Sequence, residues 1–468
     1  MSRRKVIDQR GFDWITFVIY ISLVTIGAIS LYSVLYDKDI PFAFMDFHTQ
    51  SGKYSIIIVV SIIFFFISYV IEWQFWSTYA FPIYAISIVL LLAVLIFGSD
   101  IKGARSWFNI FGFSFQPSEF AKFGTALAIS SYLSHHKTDF KTLKSISQTS
   151  LIVIIPIFLI LLQPDAGSAI IFLSILILYY KAGFPLLFYI ISGMFAATFI
   201  VTLIYNPQFV SFGALVFALI IYTILFSNKK YWNIAAVIII VTSIYSYYLG
   251  YKAYTISALS IIVLIITFLH WLKNRENSVS IVPVTVLTII FLSFITNYSF
   301  NNILKPHQQE RLNVWLNPDK CDPRGSLYNV LQSKIAIGSG GIHGKGFLKG
   351  AMTQLNFVPE QTTDFIFSSI GEEQGFIGVV SIIVLFLLLL LRLIKIAERG
   401  KNNFITYFAY TLAGYIFIHF LMNIGMNMGL LPVVGIPLPF ISKGGSSLIV
   451  FSIMMGVVLK MDAERNIR

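Results

Sequence analysis

Residues 14–36 read WITFVIYISLVTIGAISLYSVLY, an apolar run without a charged side chain. An α-helix rises about 1.5 Å per residue, so a run of this length can cross the roughly 30 Å hydrocarbon layer of a membrane. Residues 1–5, MSRRK, are basic. The run is too long for the core of a signal peptide, and no small-residue cleavage motif follows it. We therefore expect an uncleaved first span that starts in the cytoplasm.

Apolar runs of similar length recur along the chain, in which 57% of the 468 residues are hydrophobic and 12% are charged. A transmembrane β-barrel would show short alternating segments instead, so we predict an all-α polytopic membrane protein. Counting the runs predicts about fourteen transmembrane helices with both termini in the cytoplasm. The formal net charge is +12, but the basic residues lie in short loops. The positive-inside rule explains this pattern, and we predict no nucleic-acid partner.

The segment NFVPEQTTDF, residues 356–365, places Glu360 and Asp364 at the end of the one long polar segment, just before another apolar run. By the count of spans, this segment lies outside the cell. Charge at a membrane edge is costly, so an acid kept there indicates function. From position alone, Asp364 is either catalytic or an anion that caps the next helix. Glu360 would lie one turn from Asp364 if the stretch were helical.

At residues 116–122, QPSEFAK combines a helix start with an acid and a base. Pro117 suits the first turn of a helix, where an N–H has no partner to lose. Glu119 and Lys122 lie three positions apart and share one helix face. They form either an intrahelical ion pair or a cationic site that faces an outer cavity. Asp165, in QPDAG, either caps the following helix or lines that cavity, and capping is the preferred interpretation.

The cysteine and histidine content argues against a structural metal. Cys321 is the only cysteine, so an intrachain disulfide is excluded. Neither His307 nor His343 has metal-ligand spacing with it, and we predict no structural zinc.

Five motifs, in this order along the chain, resemble the SEDS family (shape, elongation, division and sporulation). They are GARSWFNIFGFSFQPSEFAK, LLQPDAGSA, YNVLQSKIAIGSGGIHGKGFLKG, FVPEQTTDFIFSSIGEEQGFIG and NIGMNMGLLPVVGIPLPFISKGGSSL. The resemblance covers nearly the whole chain except roughly 184–298. Within the family, the Gly-rich run before the acidic motif is more similar to RodA-type members than to FtsW-type members.

The resemblance implies a peptidoglycan glycosyltransferase that polymerises lipid II at the outer face of the bacterial cytoplasmic membrane during cell elongation. A sugar 4-hydroxyl attacks the anomeric carbon of the donor, undecaprenyl pyrophosphate leaves, and the configuration inverts. By the family motif, Asp364 is the general base. Glu360 either orients the acceptor and tunes Asp364 or is a solvated loop acid. Near neutral pH an ordinary aspartate is ionised and can accept a proton.

The same resemblance suggests substrate-binding residues around the base. Trp107 is either part of an interfacial aromatic belt or a ring that stacks on a sugar. Arg105 is a candidate pyrophosphate contact, because a guanidinium fork suits phosphate oxygens. Glu119 and Lys122 are candidates because a cation facing an outer cavity suits a diphosphate.

Four more candidates lie on the predicted outer side, where backbone N–H groups of Gly-rich turns can also bind anions. These further substrate-binding candidates are Arg311, Lys345, Lys443 and Ser446. No cofactor is required by the sequence, although a divalent cation, Mg²⁺ or Mn²⁺, at the pyrophosphate is compatible with the chemistry. The implied partners are lipid II, membrane lipids, a class B penicillin-binding protein that crosslinks the new strand, and the elongation machinery.

The chain departs from the family pattern in two places. The family has a core of about ten spans, so residues 184–298 hold an insertion of about four, an even number that keeps later segments on the same side. We thus predict a membrane core in 1–183 and 366–468, inserted helices in 184–298, and a large extracytoplasmic catalytic loop in 299–365. Lys443 stands where the family usually has Tyr.

Two other functions fit the same pattern. A lipid II flippase would also have broken spans and intramembrane charges. A non-catalytic scaffold for a penicillin-binding protein would use the last spans and the outer loop as a docking surface. An assay with labelled lipid II distinguishes these functions, because only the enzyme forms glycan chains that are lost in Asp364→Asn.

Overall fold

The chain is helical almost throughout in the computed structural model, which describes residues 11–36, 49–101, 104–110, 113–135, 142–226, 230–325 and 327–465. It divides into two units. The first unit comprises Met1–Pro185 and Asp322–Arg468, and the second comprises Leu186–Cys321.

The N-terminal part of the first unit is built from eight helices within the described ranges. They are α1 (Trp14–Val34), α2 (Gln50–Val70), α3 (Trp73–Thr78), α4 (Ala80–Phe97), α5 (Pro117–His135), α6 (Leu143–Leu162), α7 (Ala166–Ile171) and α8 (Ile175–Lys181). Helix α5 begins at Pro117, as the sequence predicts, because a proline at the first position loses no hydrogen bond there.

The second unit continues with six described helices. They are α9 (Leu186–Ile204), α10 (Pro207–Phe226), α11 (Lys230–Tyr248), α12 (Lys252–Asn274), α13 (Ile281–Asn302) and α14 (Pro306–Leu316). Helices α10, α12 and α13 pack their apolar faces together around buried residues that include Leu215, Leu219, Leu259 and Val263.

The C-terminal part of the first unit adds five helices to the described set. They are α15 (Tyr328–Ser339), α16 (Ala351–Gln354), α17 (Ile366–Arg399), α18 (Asn403–Asn427) and α19 (Gly445–Ala463). Among the described residues, eleven helices are long and apolar enough to cross a membrane. The predicted polytopic membrane architecture is therefore confirmed, while the count of about fourteen spans stays a prediction.

A small antiparallel sheet is the exception to the predicted all-α fold. Strands β1 (Ser99–Ile101), β2 (Ala104–Ile110) and β3 (Phe113–Phe115) follow α4 in the order β1-β2-β3, with Phe108 opposite Phe115. The prediction of helices alone was wrong here. Aromatic and β-branched residues are frequent in this stretch, and they favour strands over helices.

The polar segment before α17 is fastened to a break in that helix. Helix α17 is interrupted at Gly375, whose φ is +63°. A β-carbon at Gly375 would lie 2.2 Å from the backbone nitrogen of Gly344. The two backbone segments therefore approach too closely for any residue other than glycine. Backbone groups released by the break pair with residues 341–346, for example Lys345 N–H with the carbonyl of Glu372 at 3.0 Å. The polar segment before α17 is therefore packed against the helix and forms part of the fold.

Ion pairs bring three helix ends together at one end of the first unit. Asp13, which caps α1, accepts hydrogen bonds from Arg392 at 2.6 and 2.7 Å and from Arg399 at 2.8 Å. Arg399 also binds Asp462, near the end of α19, at 2.5 and 2.6 Å. Burial alone raises the pKa of Asp13, but hydrogen bonds from Thr16 and Arg392 outweigh it and hold the pKa below its usual value.

Candidate functional site

Asp364 lies at the end of a tight turn. The stretch before α17 is not helical, because Glu360 has a φ of +57°. Its carbonyl oxygen accepts the backbone N–H groups of Asp364 at 3.1 Å and Phe365 at 3.2 Å. The stretch is therefore a turn and not a helix, so the condition attached to the predicted spacing is not met, although the turn is closed by a hydrogen bond over the same four residues. The N-cap of α17 is Phe365, without a side-chain cap, so Asp364 does not occupy the capping position.

The carboxylate of Asp364 is half-buried against the loop between α18 and α19. Gly435, in that loop, has a φ of +72°, and a β-carbon there would lie 3.3 Å from Asp364 Oδ2. The backbone of Gly435 therefore forms one wall beside the carboxylate. The carboxylate of Asp364 therefore lies close to the backbone of Gly435 and remains partly accessible.

Two amide side chains of α18 hold the backbone of Asp364. Asn423 Nδ2 donates to the carbonyl oxygen of Asp364 at 2.9 Å, and Asn427 Nδ2 donates to the same oxygen at 3.0 Å. Asn423 also donates to the carbonyl of Ile436 at 2.8 Å. Both asparagines are fully buried. Helix α18 thus connects the turn that carries Asp364 to the loop that contains Gly435.

Glu119 and Lys122 form a buried ion pair. Lys122 Nζ lies 2.8 Å from Glu119 Oε1 and 2.7 Å from Oε2, and the Lys122 side chain is only 1% exposed. The ammonium also lies 2.9 Å from His419 Nε2, on α18, and 5.4 Å from the ring centroid of Phe451. The predicted intrahelical pair is confirmed. Direct contact with substrate would require this closed cluster to open, and that role stays a prediction.

The contacts of His419 define its protonation state. Its Nδ1 lies 3.0 Å from the carbonyl oxygen of Pro437, which can only accept a hydrogen bond, so Nδ1 carries the proton. Its Nε2 faces the Lys122 ammonium, which can only donate. His419 is therefore the neutral tautomer that accepts from Lys122, and it joins the ion pair to the loop between α18 and α19.

The side chain of Lys345, a candidate for binding the substrate, forms an ion pair with Glu372. Lys345 Nζ lies 2.7 Å from Glu372 Oε1, and Glu372 also accepts the backbone N–H groups of Met352 at 3.0 Å and Thr353 at 2.8 Å. The buried Lys122 pairs with Glu119 on its own helix. Glu372 lies three residues before the break at Gly375, where the packed polar segment brings Lys345 next to it. Any contact of Lys345 with substrate stays a prediction.

The neighbouring acid, Glu373, is satisfied by a different set of groups. Its carboxylate accepts a hydrogen bond from Ser33 Oγ, on α1, at 2.5 Å. The backbone carbonyl of Glu373 accepts the N–H of Gly346 at 2.9 Å. The two adjacent glutamates therefore fasten the polar segment before α17, and α1, to α17.

Lys443 places a positive charge beside the acidic turn. Its backbone N–H donates to the carbonyl of Thr362 at 2.8 Å, and its Nζ donates to Gln50 Oε1 at 2.9 Å. Burial lowers the pKa of Lys443, the charge of Lys53 lowers it further, and the charge of Glu360 opposes both. Lys443 is half-buried, so its cation remains partly accessible next to the turn that carries Asp364.

Ser446 and Asp165 are joined through Gln116. Ser446 Oγ accepts the backbone N–H of Gln116 at 3.0 Å. The Gln116 side chain donates to Asp165 Oδ2 at 2.9 Å. Asp165 caps α7 by accepting the N–H of Ser168 at 3.0 Å, as the sequence favours. Ser446 therefore fastens the start of α19 to the segment before α5, and its substrate-binding role stays a prediction.

Three predicted binding residues precede the acidic turn in the sequence and lie on other elements. Arg105 and Trp107 occupy alternate positions of β2, so they share one face of the strand. Arg105 is exposed and Trp107 is half-buried. Arg311 is exposed on α14, in the second unit. The roles of these three residues toward a substrate stay predictions.

His419, Asn423 and Asn427 were not among the sequence candidates. They recur every four residues on α18, and all three are fully buried. A polar stripe inside an apolar span is costly unless it has partners, and this spacing was the available signal. Within the described ranges, no group of three or more His, Cys, Asp or Glu residues could hold a metal ion. His307 is described only through its backbone.

Residues 13–212 and 214–467 match the family profile FTSW_RODA_SPOVE, described as cell cycle protein. The chain is 30% identical over 390 residues to the peptidoglycan glycosyltransferase RodA of Treponema pallidum, covering 82% of each chain. It is 28% identical over 390 residues to the peptidoglycan glycosyltransferase MrdB of Escherichia coli, covering 83% of this chain and 78% of the relative. A probable peptidoglycan glycosyltransferase FtsW of Trichlorobacter lovleyi is 27% identical over 468 residues, covering 98% and 95%.

Two solved structures share the fold. A chain from a peptidoglycan synthase complex, studied for the coordination of polymerization and crosslinking, aligns with a TM-score of 0.63 at 24% identity, covering 98% of this chain and 99% of that one. The rod shape determining protein RodA of Thermus thermophilus aligns with a TM-score of 0.56 at 21% identity, with the same coverage.

Proposed function

This chain belongs to the FtsW/RodA/SpoVE family, and we propose that it is a peptidoglycan glycosyltransferase whose general base is Asp364. The observation that carries the residue assignment is the placement of Asp364. Its backbone is held by α18, its carboxylate lies beside Gly435, and it stays partly accessible. A base must be fixed in position and still reach the proton that it removes.

In the proposed reaction, two molecules of lipid II meet at this turn. The 4-hydroxyl oxygen of the acceptor sugar forms a bond to the anomeric carbon of the donor. The bond from that carbon to the pyrophosphate oxygen breaks, and its electron pair leaves with undecaprenyl pyrophosphate. The hydroxyl proton passes to the carboxylate of Asp364. Attack opposite to the leaving group converts the α-linked donor into a β-linked product, as in other inverting reactions.

Cations near the turn would stabilise the departing pyrophosphate. Lys443 is the best placed of the predicted contacts, because it is partly accessible and its charge interacts with that of Glu360. Arg105 is exposed and offers a bidentate guanidinium. Glu360 is exposed on the same turn and would orient the acceptor. The reaction as written requires no cofactor, and a divalent cation at the pyrophosphate stays a proposal.

The cellular setting is also part of the proposal. The chain is a multi-pass membrane protein, and we place it in the bacterial cytoplasmic membrane with both termini inside and the turn of Asp364 outside. A related chain was solved within a peptidoglycan synthase complex that couples polymerization to crosslinking. By that analogy, the partner is a class B penicillin-binding protein in the elongation machinery.

The test is polymerisation of labelled lipid II by the purified full-length chain. The wild type should form glycan chains, and Asp364→Asn should lower the rate by about 10²- to 10⁴-fold, the usual contribution of a general base. Asp322→Asn, which changes an exposed acid of the same polar segment, is the matched control and should retain the rate. Transfer of lipid across the bilayer without polymer would support a flippase. Normal cell shape with Asp364→Asn would support a scaffold.

A further inference from the structure

Each of the two buried asparagines of α18 donates a side-chain hydrogen bond to a backbone carbonyl outside its own helix. Asn423 directs its side-chain nitrogen at the carbonyl oxygens of Asp364, at 2.9 Å, and Ile436, at 2.8 Å. Carbonyl oxygens can only accept, so the nitrogen and not the oxygen of the amide must point this way. Asn423 thereby bridges the turn that carries the acid and the loop beside its carboxylate.

Asn427 repeats the contact one helical turn later. Its nitrogen donates to the carbonyl oxygen of Asp364 at 3.0 Å and to the backbone carbonyl of Asn423 at 2.9 Å. Its backbone carbonyl in turn accepts a hydrogen bond from Ser333 Oγ, on α15, at 2.9 Å. One carbonyl oxygen of Asp364 therefore receives two side-chain donors, and the second donor is itself held by a neighbouring helix.

Ordinary packing of a polar residue in a span has a different pattern. Thr411, fully buried on the same helix, donates to the carbonyl of Tyr407 in its own helix at 2.8 Å. Such a bond satisfies the hydroxyl and positions nothing else. Asn427 also makes one bond of this kind, to Asn423, but both asparagines in addition donate to Asp364, the residue whose carboxylate lies beside Gly435.

We infer that Asn423 and Asn427 are positioning residues that fix the orientation of the Asp364 carboxylate for proton removal. They hold the carbonyl group of Asp364, and that carbonyl carbon is bonded to the Cα atom that carries the side chain. A displacement of about 1 Å at a reacting group can cost about 100-fold in rate. This inference rests on the proposed function, because it assigns a role relative to Asp364.

The experiment compares Asn423→Leu and Asn427→Leu with Thr411→Val in the purified full-length chain. Leucine keeps the approximate shape of asparagine and removes the donor. We expect each Leu variant to lower kcat for lipid II polymerisation about 10- to 100-fold with KM within about twofold. The acid limb of the pH profile of kcat should also shift, because the surroundings of the Asp364 carboxylate change. Thr411→Val should match the wild type in both measurements.

Asp364→Asn is assayed in parallel so that the two proposals fail differently. If Asp364→Asn retains the wild-type rate, both the general-base assignment and the inference are contradicted. If Asp364→Asn is inactive while both Leu variants keep the wild-type kcat and acid limb, the inference alone is overturned. If a Leu variant is not recovered as a folded protein, the Asn→Ala variant at the same position, which removes the donor without adding bulk or charge, decides by the same two measurements.

Discussion

The two units bury polar groups of different kinds. In the described part of the second unit, every buried polar side chain other than tyrosine is a serine or threonine, for example Ser211, Thr255 and Ser293. Most of these hydroxyls donate to a carbonyl of their own helix, as Ser211 does to Pro207 at 2.8 Å. The first unit also buries serines and threonines, but in addition it buries acids, amides, a histidine and a lysine.

The difference shows which unit depends on specific tertiary contacts between polar groups. A buried hydroxyl that bonds its own helix costs little and constrains only that helix. A buried ion costs several kcal/mol unless a partner from elsewhere compensates it, so its presence requires a specific tertiary arrangement. The first unit contains such arrangements around Lys122, Glu372 and Asp13, whereas the second is an apolar packing of helices.

The strongest test of the comparison changes a lysine in each unit. Both Lys122 and Lys252 lie over an aromatic ring, at 5.4 and 5.6 Å from the centroids of Phe451 and Tyr247. Lys122→Met leaves Glu119 buried without its partner, which typically costs about 3–5 kcal/mol. We expect a large loss of thermal stability in detergent and loss of polymerisation. Lys252→Met should change neither by a comparable amount.

A double variant distinguishes a lost partner from lost packing. Adding Glu119→Gln to Lys122→Met removes the uncompensated charge, so part of the thermal stability should return. If the double variant is as unstable as the single one, the charge of Glu119 is not the cause. Equal effects of Lys122→Met and Lys252→Met on thermal stability and polymerisation would contradict the difference between the units.

A cavity in the second unit should affect stability without affecting chemistry. Leu215 is fully buried among the packed faces of α10, α12 and α13. Leu215→Ala should lower the free energy of unfolding by about 2–5 kcal/mol, because neighbouring side chains only partly fill the space. The control is Phe217→Ala, at a residue that is 62% exposed. Polymerisation by the folded Leu215→Ala protein should match the wild type, and a lower kcat would show that the second unit contributes to catalysis.

Breaking the Glu372 cluster should loosen the polar segment before α17. Glu372→Gln removes the ion pair with Lys345 but keeps the side-chain shape. A weakened buried hydrogen-bond cluster typically costs about 1–3 kcal/mol. We expect faster hydrogen exchange at residues 341–354, measured by mass spectrometry, with little change in α10 or α12. Lys349→Gln, an exposed site in the same segment, should leave the exchange rates unchanged.

The smallest effect concerns the pH dependence of the Asp13 cluster. The pKa of Asp13 is below its ordinary value of 3.8, so the folded protein binds fewer protons here than the unfolded chain. The stability from its ion pairs is fully present above about pH 4 and is lost as pH falls through the folded pKa. The difference in Tm between wild type and Asp13→Asn should therefore be constant near neutral pH and shrink below about pH 4. A difference that does not depend on pH would contradict this assignment.

Local features of the fold followed from the sequence because their causes lie within a few residues. The spans follow from length and apolarity, the start of α5 from Pro117, and the cap of α7 from Asp165. The Glu119–Lys122 pair follows from their spacing on one helix. The small sheet between α4 and α5 was missed, since aromatic residues near a membrane surface fit a strand and an interfacial belt alike.

Contacts between distant parts of the chain could not be obtained in this way. Lys345 and Glu372 lie 27 positions apart, and Lys122 and His419 lie 297 apart. The carbonyl of Asp364 meets Asn423 after 59 positions. Periodicity shows that a polar residue faces inward, but many inward-facing partners are compatible with any one residue. Only the packing of α5, α17 and α18 selects among them.

By itself, the amino-acid sequence determined that this is a multi-pass helical membrane protein and, through its motifs, which family it resembles. Chain length, apolarity and helical spacing act locally, so they can be read without knowing how the helices meet. The tertiary structure decided which buried charge has which partner, how the turn of Asp364 is held, and where Gly435 approaches its carboxylate. These depend on close packing of helices far apart in the chain, where a buried polar group is stable only with the right neighbour.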